Sequence, residues 1–427
     1  MGATIDKSKK TLDKLRSLSK LDELIDQVRN KKKESLPDIR LPLEAVATEK
    51  GKMDRLKFLE KATGRPFPFL GGEKKFVDYD SLEGNIENFI GMSQVPTGII
   101  GPVHVKGSAA WGDFYVPLAT SEGALVASYH RGAKAARMAG GITSVCLIEG
   151  VQRSPVFRFS NMAELGTFLI WTLKEVKTFS KITSQTSRHA QLEEMKSNIE
   201  GNHLILTFEF QTGDASGQNM VTLCTDEICK YIVQHAPVKP LSWFIEGNYS
   251  GDKKATAISF SNVRGKKVSA EVLLPETVIK EVLKTSSAAM AEYWQTSTLG
   301  VIQSGAIGAQ GHFANGLAAL FIATGQDAAC VSEAAVGITR METVKNEGLY
   351  VCVTLPNLIV GTIGGGTGLP TQRECLELME CYGTGKARKF AEICGALVLS
   401  GEISIAAALS AGHFSSAHKK FGRKKKK

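Results

Sequence analysis

HLILTFEFQTGDASGQNM, residues 203–220, holds two kinds of order in one stretch. Leu204, Leu206, Phe208 and Phe210 alternate with other residues, the period-two pattern of a strand with one buried face. Gly213 breaks that pattern, and beyond it Val221, Cys224, Ile228 and Ile232 fall three or four apart, the stripe of an amphipathic helix. Strand, turn, helix is the reading, and it puts Asp214-Ala-Ser-Gly-Gln-Asn-Met220 at a helix start. Free first-turn amides and the positive end of the helix dipole suit a phosphate there, and Gly217 would admit a ligand close to the backbone. Taken alone, Asp214 reads first as a plain helix cap.

This module begins near Pro155. Upstream, from Val95, the chain is punctuated by glycine: PTGIIGPVHVKG (96–107) is followed by DFYVPLATSEGALVASYHRGAKAARMAGG (113–141). There a short strand turns into a helix whose Ala124, Ala127, Ala133, Ala135 and Ala136 permit close packing. Downstream, SGAIGAQGHFANGLAALFIATGQDAA (304–329) and KFAEICGALVLSGEISIAAALSAGHF (389–414) read as tightly packed core helices. Near the start, Leu12, Leu15, Leu18, Leu24, Ile25 and Val28 predict an amphipathic helix over residues 7–33, while Lys52 to Tyr79 reads as a linker or irregular layer.

With 427 residues, 43% of them hydrophobic, the chain can bury a sizeable core and is long enough for two or three domains. No apolar run looks long enough to span a bilayer, and the charged N-terminus is unlike a signal peptide, so the expected location is the cytoplasm. The eight cysteines include no C-x-x-C pair and read as buried free thiols. The net charge of +9 comes from residues 1–33 and the KKKK tail, leaving a slightly acidic body, so a groove-binding nucleic-acid protein is not expected.

Four further features could carry chemistry. Gly361-Thr-Ile-Gly-Gly-Gly-Thr-Gly368 bares a ribbon of backbone to a dinucleotide or to a tight turn, but is neither G-x-G-x-x-G nor a P-loop. Lys253 in Gly251-Asp-Lys-Lys254 is a cation suited to an oxyanion, or part of a charged surface turn. Glu122 precedes a small apolar helix whose surface would raise its pKa, or is a helix-start acid. Asp327 reads as a carboxylate inside an apolar helix that must find a partner. His413 and His418 end a long helix without a cysteine cluster or H-E-x-x-H, so no metal site is expected.

ENFIG, PTGIIGP, ATSEGALVAS, DASGQNM, GNYSGDKK, GHFANGLAALFIATGQDAA, GTIGGGTGLP and AAALSAGH together, and in this order, resemble the 3-hydroxy-3-methylglutaryl-CoA reductase family from about Glu83 to Arg423. The match is closer to the eukaryotic and archaeal branch, without its membrane anchor. The resemblance implies an α+β fold: an N-terminal helical region and linker (1–82), and a large CoA-substrate domain around a long central helix (83–154 and 246–412). A small ferredoxin-like NADP-binding insert (155–245) and a mobile catalytic tail (413–427) complete it.

It also implies four-electron reduction of 3-hydroxy-3-methylglutaryl-CoA to mevalonate and CoA with two NADPH, in isoprenoid precursor synthesis, NADH remaining open. Lys253 would stabilise the oxyanion, His418 protonate the CoA thiolate, Glu122 protonate the aldehyde oxygen, and Asp327 join Lys253 and Glu122 in one network. Ser187, Arg188, Asp214, Gly217, Gln218, Asn219, Met220, Gly364, Gly365 and Gly366 look like cofactor contacts, and Arg153, Asn248, Asp252, Lys254 and Asn315 like substrate-side positions. The tail carrying His418 would serve as a gate for cofactor exchange, and the active site would form between two subunits of a homodimer or larger assembly.

Some positions depart from the family. Glu246 replaces a serine and Gln295 to Leu299 lack a lysine, both near where the substrate's free carboxylate is held. His189, Ser216, Gln218, Ser416 and Lys419 also differ. An NAD(P)-dependent reductase of a different acyl-CoA is therefore the alternative reading, and a catalytically silent CoA-binding protein a more distant one.

Overall fold

The computed structural model describes residues 5–17, 23, 25, 26, 36, 39–42 and 47–412. His413, His418 and the rest of the expected catalytic tail lie outside the described residues.

One mixed sheet of ten strands runs through the molecule, and β3 (Ile142–Arg153) is its spine. Residues 142–144 pair parallel with β1 (Thr97–Gly107), which makes a hairpin with β2 (Trp111–Ala119). On its other side β3 pairs antiparallel with β8 (Gly265–Leu274), followed by β10 (Gly348–Leu358) and the edge strand β9 (Ile338–Val344). The last three residues of β3 leave this group and pair with β6 (His203–Gln211). The chain thus passes from one body into the next within a single strand.

The second body runs β4 (Val156–Arg158), α4 (Met162–Lys174), α5 (Val176–Thr186), β5 (Gln191–Glu200), β6, α6 (Gln218–His235) and β7 (Ser242–Phe244). Its sheet order is β7-β4-β6-β5, antiparallel throughout. The alternation in 204–210 is borne out: all four apolar side chains are fully buried, facing Val221, Cys224, Ile228 and Ile232 of α6 and Phe157, Phe168 and Phe179. Each such burial stabilises by about 1.5–3 kcal/mol.

In the larger body, α10 (Ala387–Ser410) is buried nearly all round. Among the described helices it is the one whose length and apolar composition would suffice to cross a membrane, which corrects the expectation that no such run exists. Here it is the core, packed on α3 (Leu125–Met138), α7 (Ser287–Ser304), α8 (Phe313–Thr324), β3, β8 and β10. The ring of the buried Tyr129 lies where side chains on Gly316 and Gly401 would stand, and Gly132 meets the Ser400 carbonyl. Small residues are what let three helices approach this closely.

Two further expectations need correction. Lys52 to Thr63 is not linker but the body of α2 (Glu49–Thr63), capped by Thr48 Oγ1 accepting from Gly51 N at 3.2 Å and closed by Gly64 at φ 70°. Its Leu59 packs with Leu41, Phe67, Tyr115 and Leu378, a satellite cluster that the charge-rich sequence concealed. Of the eight free cysteines, Cys352 is only half-buried. The first helix, α1, covers Ile5–Ser17 with Leu15 buried; Leu18, Leu24 and Val28 of the predicted helix lie outside the described residues.

A Cβ at Gly132 would stand 1.8 Å from the Ser400 carbonyl oxygen, whereas one at Gly166 inside α4 meets nothing within 4 Å. Gly132→Ala should therefore lower the free energy of unfolding by about 3 kcal/mol through overpacking. Gly166→Ala should raise it by about 0.5–1 kcal/mol. Urea midpoints of the two variants check both signs.

Candidate active site

Gly325, at φ 66°, ends α8, and Asp327 emerges two residues later. It caps a short 3-10 turn, its Oδ1 accepting from Ala329 N at 3.0 Å, and its side chain is 43% exposed. This corrects the reading of a carboxylate buried within an apolar helix: the left-handed glycine turn releases it to the surface. The partner that reading demanded is present. Lys253 Nζ lies 2.8 Å from Asp327 Oδ2. The hydrogen bond and charge of Asp327 hold the Lys253 ammonium above the ordinary lysine range. One donor of three is thus committed, and the half-exposed ammonium keeps others for a carbonyl oxygen.

Asp252, next in sequence, sits between two guanidinium groups: Arg264 Nη2 at 2.5 Å and Arg153 Nη1 at 3.0 Å. Burial works to raise its pKa, but Arg264, Arg153 and Lys253 together hold it below the ordinary carboxylate range. Arg153 is almost fully buried and also donates to Thr222 Oγ1 at 2.8 Å. Glu246 lies 3.4 Å from Arg153 and accepts from Ser154 N, Tyr249 N and Ser250 Oγ. Its charge is spent on shaping its own loop. Asn248 and Lys254 are exposed on that loop, the former at φ 62° and the latter bonded to the Asp252 carbonyl.

Glu122 is exposed in the turn before α3, not pressed against an apolar surface, and Asn315 Nδ2 donates to its Oε1 at 3.3 Å. Asn315 is in the first turn of α8 and Asp327 lies beyond its last. Nine residues of helix, about 14 Å, lie between Asn315 and the end of α8. One chain therefore brings Lys253 to Asp327 and Asn315 to Glu122, but does not join Glu122 to the lysine as the expected single network requires. Sequence reasoning missed Arg131 and Ser128, which converge on Ser404 of α10 at 2.6–3.1 Å, and Glu333 and Arg264 behind Lys253. The argument made for Asp327, an acid in an apolar stretch, would have found Glu333.

The 212–217 loop packs on the glycine segment 361–366. Thr362 N donates to the Asp214 carbonyl, and Gln326 clasps both backbone groups of Gly361 at 2.8 and 3.0 Å. The Asp214 carboxylate accepts from Gly385 N at 2.7 Å and Ala387 N at 3.0 Å, capping the central helix α10 and not its own α6. Gly217, at φ 80°, is required by Thr212, whose side chain a Cβ would strike. Gln218 Nε2 reaches Cys330 Sγ at 2.8 Å, Asn219 is exposed, and Met220 packs on the insert's core. Ser187 and the exposed Arg188 emerge beside this loop, because Gln191 and Gln211 are opposed in the sheet. Side chains at Gly364 or Gly365 would meet nothing within 4 Å, while Gly366 abuts Gly325. Open glycine backbone, first-turn amides of α6 and a nearby arginine fit a phosphate-bearing dinucleotide. Among the described residues no cluster of metal-ligating side chains occurs.

Asp214→Ala should destabilise the protein by about 1 kcal/mol, the cost of a lost helix cap, seen in thermal unfolding. Asp327→Asn removes the group that raises the Lys253 pKa and leaves the burial that lowers it. The Lys253 ammonium should then deprotonate at lower pH, carrying the alkaline limb of any Lys253-dependent activity down with it. Because the folded pKa is raised, the stability this pair adds is full below the ordinary lysine value and is lost only as pH climbs through the raised one.

The hydroxymethylglutaryl-coenzyme A reductase family model matches residues 52–423. The 3-hydroxy-3-methylglutaryl-coenzyme A reductase of Pyrococcus horikoshii is 42% identical over 86% of this chain and 91% of its own. That of Methanocaldococcus jannaschii is 40% identical over 86% and 92%. Among solved structures, a class II enzyme of the same name from Streptococcus pneumoniae, bound to NADPH in open conformations, shares the fold with a TM-score of 0.67 at 19% identity, covering 84% of this chain and 96% of that one. With a family model spanning most of its length and relatives at 40% identity, this chain belongs to the hydroxymethylglutaryl-coenzyme A reductase family.

Proposed function

We propose that this protein reduces 3-hydroxy-3-methylglutaryl-CoA to mevalonate and CoA with two NADPH, in the supply of isoprenoid precursors. The observation that carries the reading is the 2.8 Å pair of Lys253 and Asp327 on an exposed turn beside the glycine ribbon. The 155–245 insert serves as a ferredoxin-like cofactor domain, a reading supported by its β4-α4-α5-β5-β6-α6-β7 run and the antiparallel order β7-β4-β6-β5. Ser187, Arg188, Asp214 to Met220 and Gly364 to Gly366 hold the cofactor, Arg188 meeting its 2'-phosphate. Bound there, NADPH supplies hydride to carbonyl carbon.

Lys253 donates a hydrogen bond to the thioester oxygen as it gains charge, which lowers the barrier to the hemithioacetal. When the C–S bond breaks, His418 gives the departing thiolate its proton. Glu122 protonates the alkoxide formed in the second reduction, giving the alcohol. Arg153, Asn248, Asp252, Lys254 and Asn315 position the acyl end.

The site is completed by a second copy of the chain, a homodimer or larger assembly. Supporting this are the separation of Glu122 from Lys253 along α8 and the exposed apolar side chains of Ile86, Ile90, Met92 and Val95, Ile90 fully so in the single chain. The protein acts in the cytoplasm. The alternative, reduction of a different acyl-CoA, rests on Gln295 to Leu299: Ser297 and Thr298 bond back to the Trp294 carbonyl and Leu299 is exposed, leaving no cation there.

Purified protein should consume two NADPH per CoA thiol released from 3-hydroxy-3-methylglutaryl-CoA, and Lys253→Ala should abolish turnover. Turnover of another acyl-CoA only would favour the alternative, and none with any thioester would defeat both.

A further inference from the structure

Lys253 holds a backbone conformation that its residue type resists. Its φ is 55°, in the left-handed region where a side chain costs about 1 kcal/mol or more. Something must hold it there. Its N–H donates to Glu333 Oε1 at 3.2 Å. Glu333 is completely buried, and its Oε2 lies 2.7 Å from Nε of Arg264, itself only 2% exposed. Arg264 is fixed in turn: Nη1 donates to the Gln152 carbonyl at 2.8 Å, its own N–H to Asn357 Oδ1 at 2.9 Å, and Nη2 to Asp252 Oδ1. Two groups of consecutive residues, the Asp252 carboxylate and the Lys253 amide, are therefore gripped by one buried ion pair.

We propose that Glu333 and Arg264 are positioning residues that lock the 252–253 turn and so aim the Lys253 ammonium at Asp327 and the substrate oxygen. A buried ion pair contributes little net stability compared with a well-packed apolar pair, so its presence under an exposed, strained turn points to orientation as its use. The inference rests on Lys253 being the working cation of the proposed reaction.

The charged and titratable groups facing Lys253 are Asp327 and Cys330 on the segment after α8, Asp252 on its own turn, and Glu333 beneath it. Burial pushes the Cys330 thiol far above its usual range, so it stays neutral. Asp327 is thus the group whose distance sets the lysine's proton affinity.

Glu333→Gln is the discriminating change. A carboxylate serves two donors at once, but an amide offers one oxygen and must turn its NH2 toward either Arg264 or the Lys253 amide. The turn should relax, and kcat should fall about tenfold to a hundredfold with KM for NADPH unchanged, the scale of a misplacement near 1 Å. The Lys253 pKa, read by NMR of labelled lysine and assigned through Lys253→Arg, should drop as the ammonium leaves Asp327. Glu333→Asp, which keeps two acceptor oxygens and the charge, should recover part of both. Should Glu333→Gln not fold, Arg264→Lys, which keeps the charge but loses the fork to Asp252, is expected to move both readouts the same way.

A folded variant with a lowered urea midpoint but wild-type kcat and Lys253 pKa would overturn the proposal, leaving the pair a merely structural one. Absence of turnover in the wild type would defeat the functional reading instead, and the lysine pKa would still decide the positioning claim.

Discussion

A 24-residue apolar helix at the centre of a protein must be buried on every side, and α10 carries two carboxylates into that burial. Glu392 and Glu402 are almost wholly inaccessible, and an unpaired charge there would unfold the protein. Each is instead surrounded by donors. Glu392 accepts from Ser108 Oγ, Ala109 N, Ala110 N and Cys146 N at 2.5–3.1 Å. Glu402 accepts from Gly311 N and His312 N, both at 2.7 Å, and from Thr339 Oγ1 at 2.6 Å. The β1–β2 turn, β3 and the segment entering α8 are therefore tied to one helix by acids that could not otherwise be there.

This arrangement reaches the candidate site from both ends. The N-terminus of α10 is capped by Asp214, so the loop that leads into α6 is registered against the central helix. Near its other end, Glu402 fixes Gly311 and His312, where α8 begins. α8 then carries Asn315 to Glu122 at its start and delivers Asp327 to Lys253 past its end. The spacing of two acid-bearing centres is thereby set by a single rigid helix. Such a scaffold holds side chains firmly but cannot bring its own two ends together, and the second copy proposed above answers that separation.

How much of this was legible in the sequence follows from what each signal measures. Periodicity found β6 and α6 because their burial is one-sided, and glycine with small residues found the packed helices. It failed at α2, where lysines and acids outnumber the few apolar contacts that order the helix. Motif resemblance picked out Lys253 and Asp327, but helical apolarity misplaced Asp327, since one glycine at φ 66° overrides the run around it. Glu333, Glu392 and Glu402 stand in apolar stretches as Asp327 does, so the same argument could have flagged them, but a sequence does not show which donors a fold will gather around each acid. Asp214 was read as a cap of its own helix or a cofactor contact; its carboxylate caps a helix about 170 residues away, which no local pattern could show.

The departures from the family pattern also take on a different weight once placed. Glu246 looked like a charge set against the substrate's own carboxylate. In the structure it faces inward, accepting backbone and hydroxyl donors of residues 249 and 250 and lying beside Arg153. A side chain so engaged repels an incoming anion less than a free one, because Arg153 at 3.4 Å offsets part of its field. The cost falls on Arg153, which now serves two carboxylates, Glu246 and Asp252, and has less positive potential left to offer a third. Arg153 Nη1 thereby links Glu246 to the Lys253 turn through Asp252, while Arg264 and Glu333 hold that turn from beneath.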